Sequence, residues 1–139
     1  MPTIKDAIQE MVDELKNVNG LRNVPDAPPE KNSQFPFATL IPVSGKIEMA
    51  GGFVTSWHDV EIHLHVRRKD LARAYDDIMP LLSDIPKQIM TGLKSRVFTG
   101  TLSWEGDITY VWEVSSWQDT PTLAYIFTVE GVKVQDTIT

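Results

Sequence analysis

The sequence contains no cysteine. That removes disulfides, thiolate metal ligands and a cysteine nucleophile at once, and it fits a reducing compartment. Basic charge is also scarce: 13 Lys and Arg stand against 19 Asp and Glu, for a net charge of −6. Nucleic-acid binding by phosphate neutralisation needs clustered cations, so this balance argues against it. The one basic cluster, Arg67-Arg68-Lys69, is followed at once by Asp70. No apolar run approaches the roughly 18 residues a membrane span needs. Met1–Asp6 carries no basic-then-apolar secretory pattern, so the expectation is a chain that stays in the cytoplasm where it is made. Catalytic signatures are missing as well. Ser44, Ser56, Ser103, Ser115 and Ser116 lie outside any Gly-x-Ser-x-Gly elbow, and Ser44-Gly45-Lys46 lacks the spacing of a phosphate loop.

What is present is core material. In 139 residues, 42% are hydrophobic, with four Trp, five Phe and three Tyr, enough for one folded domain over residues 1–139. Ile4, Ala7, Ile8, Met11, Val12, Leu15 and Val18 recur at three- and four-residue spacing, the stripe of a helix of about four turns. Thr3 is placed to cap it, and Gly20 to stop it. Pro25, Pro28 and Pro29 enforce an extended connection, with a short strand at Leu21–Val24 conceivable before it. Phe35–Val43 is apolar and β-prone but broken by Pro36 and Pro42, which marks an edge or bulged strand. A second extended stretch, Ile47–Met49, leads to a turn or mobile loop tip at Ala50-Gly51-Gly52.

Val60, Ile62, Leu64 and Val66 then alternate with Asp59, Glu61, His63, His65 and Arg67. Period-two alternation means one face on the core and one toward water or another subunit. Asp70 opens a second helix with Leu71, Ala74, Tyr75, Ile78, Leu81 and Leu82 on its stripe. Pro80 is expected to kink or end it, and Ser83-Asp84 to restart it with Pro86 in the first turn. Beyond Gly92 the pattern is β: Arg96–Trp104, Ile108–Trp117 and Thr122–Val134, with turns at Glu105-Gly106-Asp107 and Gln118–Pro121 and a polar tail, Gln135–Thr139, free to fray. The fold class expected is α+β: a mixed, mostly antiparallel β-sheet with two main helices packed on one face.

Three candidate chemistries compete with plainer readings. His63 and His65 project from the same strand face beside Glu61, the local geometry of a metal site. No second cluster supplies further ligands, so the polar side of an alternating strand is the better reading, and neither metal nor cofactor is expected. Asp76-Asp77 and Glu105/Asp107 are possible acid–base pairs, better explained as solvated charge on a helix and in a turn. Among the four tryptophans, Trp112 stands out of phase between Val111 and Glu113, so one aromatic is expected to point away from the core, as at an interface.

Several segments together carry a resemblance. They are the amphipathic first helix, Gly20-Leu21-Arg22-Asn23-Val24, Asp26-Ala27-Pro28-Pro29-Glu30, Phe35-Pro36-Phe37-Ala38, Gly51-Gly52, His58-Asp59-Val60-Glu61-Ile62-His63-Leu64-His65-Val66, Arg68-Lys69-Asp70-Leu71-Ala72-Arg73-Ala74, and Met79-Pro80-Leu81-Leu82-Ser83-Asp84-Ile85-Pro86. This order resembles the tail terminator (tail completion, head–tail joining) proteins of long-tailed bacteriophages, over roughly Ile4 to Leu93. The resemblance implies a non-enzymatic virion subunit of the tail or neck, assembled in the host cytoplasm. It would close into a homo-oligomeric ring, usually a hexamer, that ends tail-tube polymerisation and meets the head–tail connector, with DNA passing an acidic lumen without specific binding. Within that expectation, Met49, Gly51, Gly52 and Phe53 form a docking loop for tube or connector, and Glu61, His63, His65 and Arg67 form a face for neighbouring subunits. The competing readings are another head–tail connector or minor tail protein, and a small ligand-binding or enzymatic α+β domain.

Overall fold

The computed structural model describes residues 4–21, 24–25, 36–67, 71–95, 102–104, 107–117 and 120–137. Two helices and an antiparallel sheet make an α+β fold that is mostly β. The first helix, α1 (Ile4–Leu15), buries Ala7, Ile8, Met11, Val12 and Leu15. It ends three residues earlier than the stripe suggests. Asn17 N–H bonds Glu14 C=O at 3.1 Å and Val18 N–H bonds Leu15 C=O at 3.0 Å, a tightened last turn that still brings Val18 into the core. Gly20 then takes φ +96°, where a side chain would be strained.

The second helix, α2 (Leu71–Ser95), does not break. It runs through Pro80 and Pro86, against the expected kink and restart. Pro80 is exposed, while the buried positions Ile78, Leu81, Ile85 and Ile89 continue on the opposite side. Each proline removes one backbone donor, yet neither interrupts the stripe that holds the helix to the sheet. The Gln88 side-chain amide donates to the Glu14 carboxylate, tying α2 to α1. Among the described residues no helix is long and apolar enough to cross a membrane.

The strands are β1 (Phe37–Ala50), β2 (Phe53–Arg67), β3 (Leu102–Trp104), β4 (Ile108–Trp117) and β5 (Thr120–Thr137). Their order is β1-β2-β5, with β3 and β4 one after the other along the far side of β5, and every pairing is antiparallel. The sheet thus has two outer edges, β1 on one side and β3/β4 on the other. α1 rests on β1, and α2 on β2 and β5. The core between them takes Ala38 and Leu40 from β1, Val60, Ile62, Leu64 and Val66 from β2, and Leu123, Tyr125, Phe127 and Val129 from β5. These positions lie opposite one another in the register: Leu40, Ile62 and Phe127 form one row, and Ala38, Leu64 and Tyr125 the next.

β1 is both an edge strand and bulged, with the shift between Pro42 and Ser44. Proline's missing N–H is tolerated at such a place. Gln135–Thr137 is strand and not a frayed tail, since Thr137 pairs with Phe53 and Gln135 with Thr55. Thr120 and Pro121 likewise belong to β5. The caps at Thr3 and Asp70, residues 26–35, Arg96–Thr101, and the turn residues Glu105-Gly106 and Gln118-Asp119 lie outside the described residues. The suggested strand at Leu21–Val24 falls partly outside them.

Candidate assembly surface

The expected loop around Gly51-Gly52 is a two-residue hairpin. Pairing runs to its tip, with Met49 opposite Val54 and Ala50 opposite Phe53. Gly51 and Gly52 take φ +60° and +82°, the pair of positive values a type I′ turn requires. Of the two expectations, turn or mobile loop tip, the turn holds, and the docking loop is ordered ribbon because Ile47, Met49, Val54 and Thr55 lie in paired strands. Met49 and Phe53 are both exposed but occupy opposite faces, so they do not form one anchor. Met49 (71% exposed) shares the helix-side face with Ile47 (69%), whereas Phe53 lies on the other face with Trp57. Lys46 and Lys133 flank the Trp57 ring there, their ammonium groups 5.6 and 5.8 Å from its centroid.

The outer half of β1 needs close backbone approach. A Cβ at position 45 would lie 2.5 Å from the Trp57 carbonyl oxygen, which explains the glycine. Asp59 joins the two irregularities at this level. One carboxylate oxygen accepts from Ser44 Oγ at 3.1 Å, beside the β1 bulge, and the other from Gly131 N–H at 3.0 Å, beside the β5 bulge. Sequence reading gave Asp59 no role. The signal was a charged residue at the foot of the best strand.

The proposed subunit face of β2 fares unevenly. Glu61, His63, His65 and Arg67 do share one face, opposite the helices, and Arg67 is exposed. Glu61 and His63 are half-buried and paired at 2.8 Å. His65 contradicts the expectation: it is 3% exposed, stacked on Phe37 at 5.1 Å, and shares a hydrogen bond with Thr122 Oγ1 at 3.0 Å. Its neighbours on that face, Phe37, Thr39, Thr122 and Ala124, are buried too. Alternation says which side a residue takes, not whether that side is covered. Burial, and secondarily the neighbouring His63, push the His65 pKa down to about 4, so the ring is neutral at pH 7. Among the described residues no three His, Asp or Glu side chains gather as a metal site.

The largest apolar exposure that sequence reading missed is β4. Tyr110, Trp112 and Val114 lie in register with Phe127, Tyr125 and Leu123, on the helix-side face, yet all three are exposed. The helices cover β1, β2 and β5 but leave this edge open. Tyr110 still packs edge-on to Tyr125 at 5.7 Å. Val111, on the other face, is exposed as well. Trp112, read as out of phase and pointing away from the core, is instead in phase with Tyr110 and Val114 on the helix-side face, and is 55% exposed because that edge is uncovered. Among the described residues nothing pairs with the outer edge of β4, so the strand offers large apolar side chains on both faces of an open edge, a combination that natural sheets normally avoid unless the edge is used.

No protein-family model matches this chain, and no curated protein matches it either.

Proposed function

We propose that the chain is a structural subunit of a phage virion. In this reading it associates with copies of itself into a ring, six being the expected number, on the end of the tail tube, stops tube polymerisation and joins the tail to the head connector. One observation carries the self-association. A single sheet has two exposed apolar edges of different sequence, Ile47/Met49 on β1 and Tyr110/Trp112/Val114 on β4, on opposite sides. A subunit with two unlike adhesive edges joins head to tail, and such contacts close into a ring when the rotation per step permits. The position at the tail end comes from the resemblance over Ile4 to Leu93. The net charge of −6 suits a lumen through which DNA slides without binding.

The hairpin tip supplies the second contact. Phe53 stands exposed beside the Gly51-Gly52 turn, on the face away from Met49, where it can meet tube or connector without competing with the β1 edge. Phe53→Ser removes an exposed apolar group at a hairpin end, so stability should change by less than ~1 kcal/mol. The gene would be deleted from the phage genome that carries it and supplied back from a plasmid. Wild type should restore infectious particles, and Phe53→Ser should lower the yield by at least tenfold while unjoined heads and tails accumulate. A normal yield with Phe53→Ser moves the docking surface elsewhere, and normal particles without the gene end the terminator reading.

A further inference from the structure

We propose that the contact between neighbouring copies is an antiparallel strand pair, the β4 edge of one copy against the outer half of β1 of the next, with Trp112 opposite Ile47 and Glu113 opposite Lys46. This deepens the ring reading above and rests on it.

Three independent features select that register. The first is polarity. β1, β2, β5 and β4 alternate in direction across the sheet, so β4 of one copy beside β1 of another continues the alternation. The second is hydrogen-bond phase. A pair that closes a two-residue hairpin exchanges both of its N–H···O bonds, and the next residue points its N–H and C=O the other way. Counting back from Ala50↔Phe53, the residues facing outward on β1 are Met49, Ile47 and Gly45. Counting back from Trp117↔Thr120, those facing outward on β4 are Ser116, Val114, Trp112 and Tyr110. Setting Trp112 opposite Ile47 therefore matches outward groups with outward groups along the whole overlap. It also sets Tyr110 opposite Met49, and all four side chains lie on the helix-side face of their own sheet.

The third feature is charge. In this register Glu113 falls opposite Lys46, on the other face of both sheets. Sliding two residues one way sets Glu113 against Glu48, a like-charge pair that costs stability directly across a ladder. Sliding two residues the other way sets it against Ser44. Lys46 now pairs with Glu48 at 2.6 Å, both half exposed or more, so exchanging one solvated carboxylate partner for another, or bridging both, costs little. β4 pairing with its own copy would leave Glu113 with no cation from either strand. It would also leave Ile47 and Met49 uncovered.

Because the chain has no cysteine, introduced thiols report the register without background. Glu48 and Val111 are both exposed and would face each other across the junction, at the short Cα separation of a non-hydrogen-bonded pair, which a disulfide can span. Purified Glu48→Cys and Val111→Cys proteins, each checked for folding by circular dichroism, would be mixed under mild oxidation. The expected product is a disulfide heterodimer, at least tenfold more abundant than from Glu48→Cys mixed with Tyr110→Cys, where the two thiols sit on opposite faces. In the same vein Glu113→Lys should weaken association at least tenfold by light scattering, and adding Lys46→Glu to that chain should recover most of the loss. A Val111→Cys protein that links mainly to itself, or equal yields from the two mixtures, while the wild type still associates, overturns the strand pairing and leaves the ring reading standing. A wild type that stays monomeric up to millimolar concentration and with tube protein overturns both.

Discussion

Ile62→Asp should leave the chain unfolded. Ile62 is fully enclosed at the centre of the sheet, with Leu40 on one side of it and Phe127 on the other, both buried as well. Loss of its burial is worth roughly 3 kcal/mol from cavity data alone. An aspartate there would be either an uncompensated buried charge or a carboxyl protonated at a cost of several pK units, and each adds a penalty of similar size. The total, more than ~5 kcal/mol, rivals the whole stability of an ordinary domain. His63→Ala, one position along, is the control. His63 is half-buried, and its hydrogen bond among the described residues is to the nearby Glu61 in the same strand, so its loss should cost less than ~1 kcal/mol. Far-UV and near-UV circular dichroism with urea titration separates the two. A cooperative urea transition for Ile62→Asp close to that of wild type would refute the register of β2.

The second large effect is a loss of stability in acid that belongs to one residue. His65 titrates near 6.5 when unfolded and at about 4 when folded, with the neutral ring stacked on Phe37. The unfolded chain therefore binds the extra proton first. Stability is fully present above pH 6.5, falls as the pH drops toward 4, and then levels off for this group. The span corresponds to roughly 3 kcal/mol, a large fraction of what holds such a domain together. The groups around the ring fit this direction: Thr122 accepts or donates without charge, and His63 adds repulsion when both rings protonate. His65→Gln keeps a polar partner for Thr122 and cannot titrate. Urea melts at pH 7, 6, 5 and 4 should show the wild type losing about that amount relative to His65→Gln. Parallel curves for the two proteins would mean that the ring is accessible to protons in the folded state.

How far the sequence led depends on whether a signal is local. The stripe of α1 and the alternation of β2 are local, and Val60, Ile62, Leu64 and Val66 are all in the core. Pro42 announced an edge or a bulge, and β1 has both. His65 could not be placed from its own neighbours, because whether the polar face is covered depends on residues far along the chain, Phe37 and Thr122 among them. The same holds for β4. Ile108, Tyr110, Trp112 and Val114 alternate as well as any core strand, yet only Ile108 packs against the core, and the order of strands in the sheet reveals that the other three lie beyond the reach of the described helices. Pro80 misled in the other direction, since a general cost of proline in helices was outweighed by the buried row from Ile78 to Ile89. At Gly51-Gly52 the turn was legible, whereas the ribbon leading to it needed the partner strand.

In the proposed ring, copies of this chain join through unlike edges until the circle closes. Native mass spectrometry of the purified protein, alone and mixed with tail-tube protein, tests it most directly. The expected result is one discrete multimer, six copies of the 15.7 kDa chain, with no ladder of larger species above it. A monomer under both conditions, or an open series of multimers without a preferred size, would contradict it.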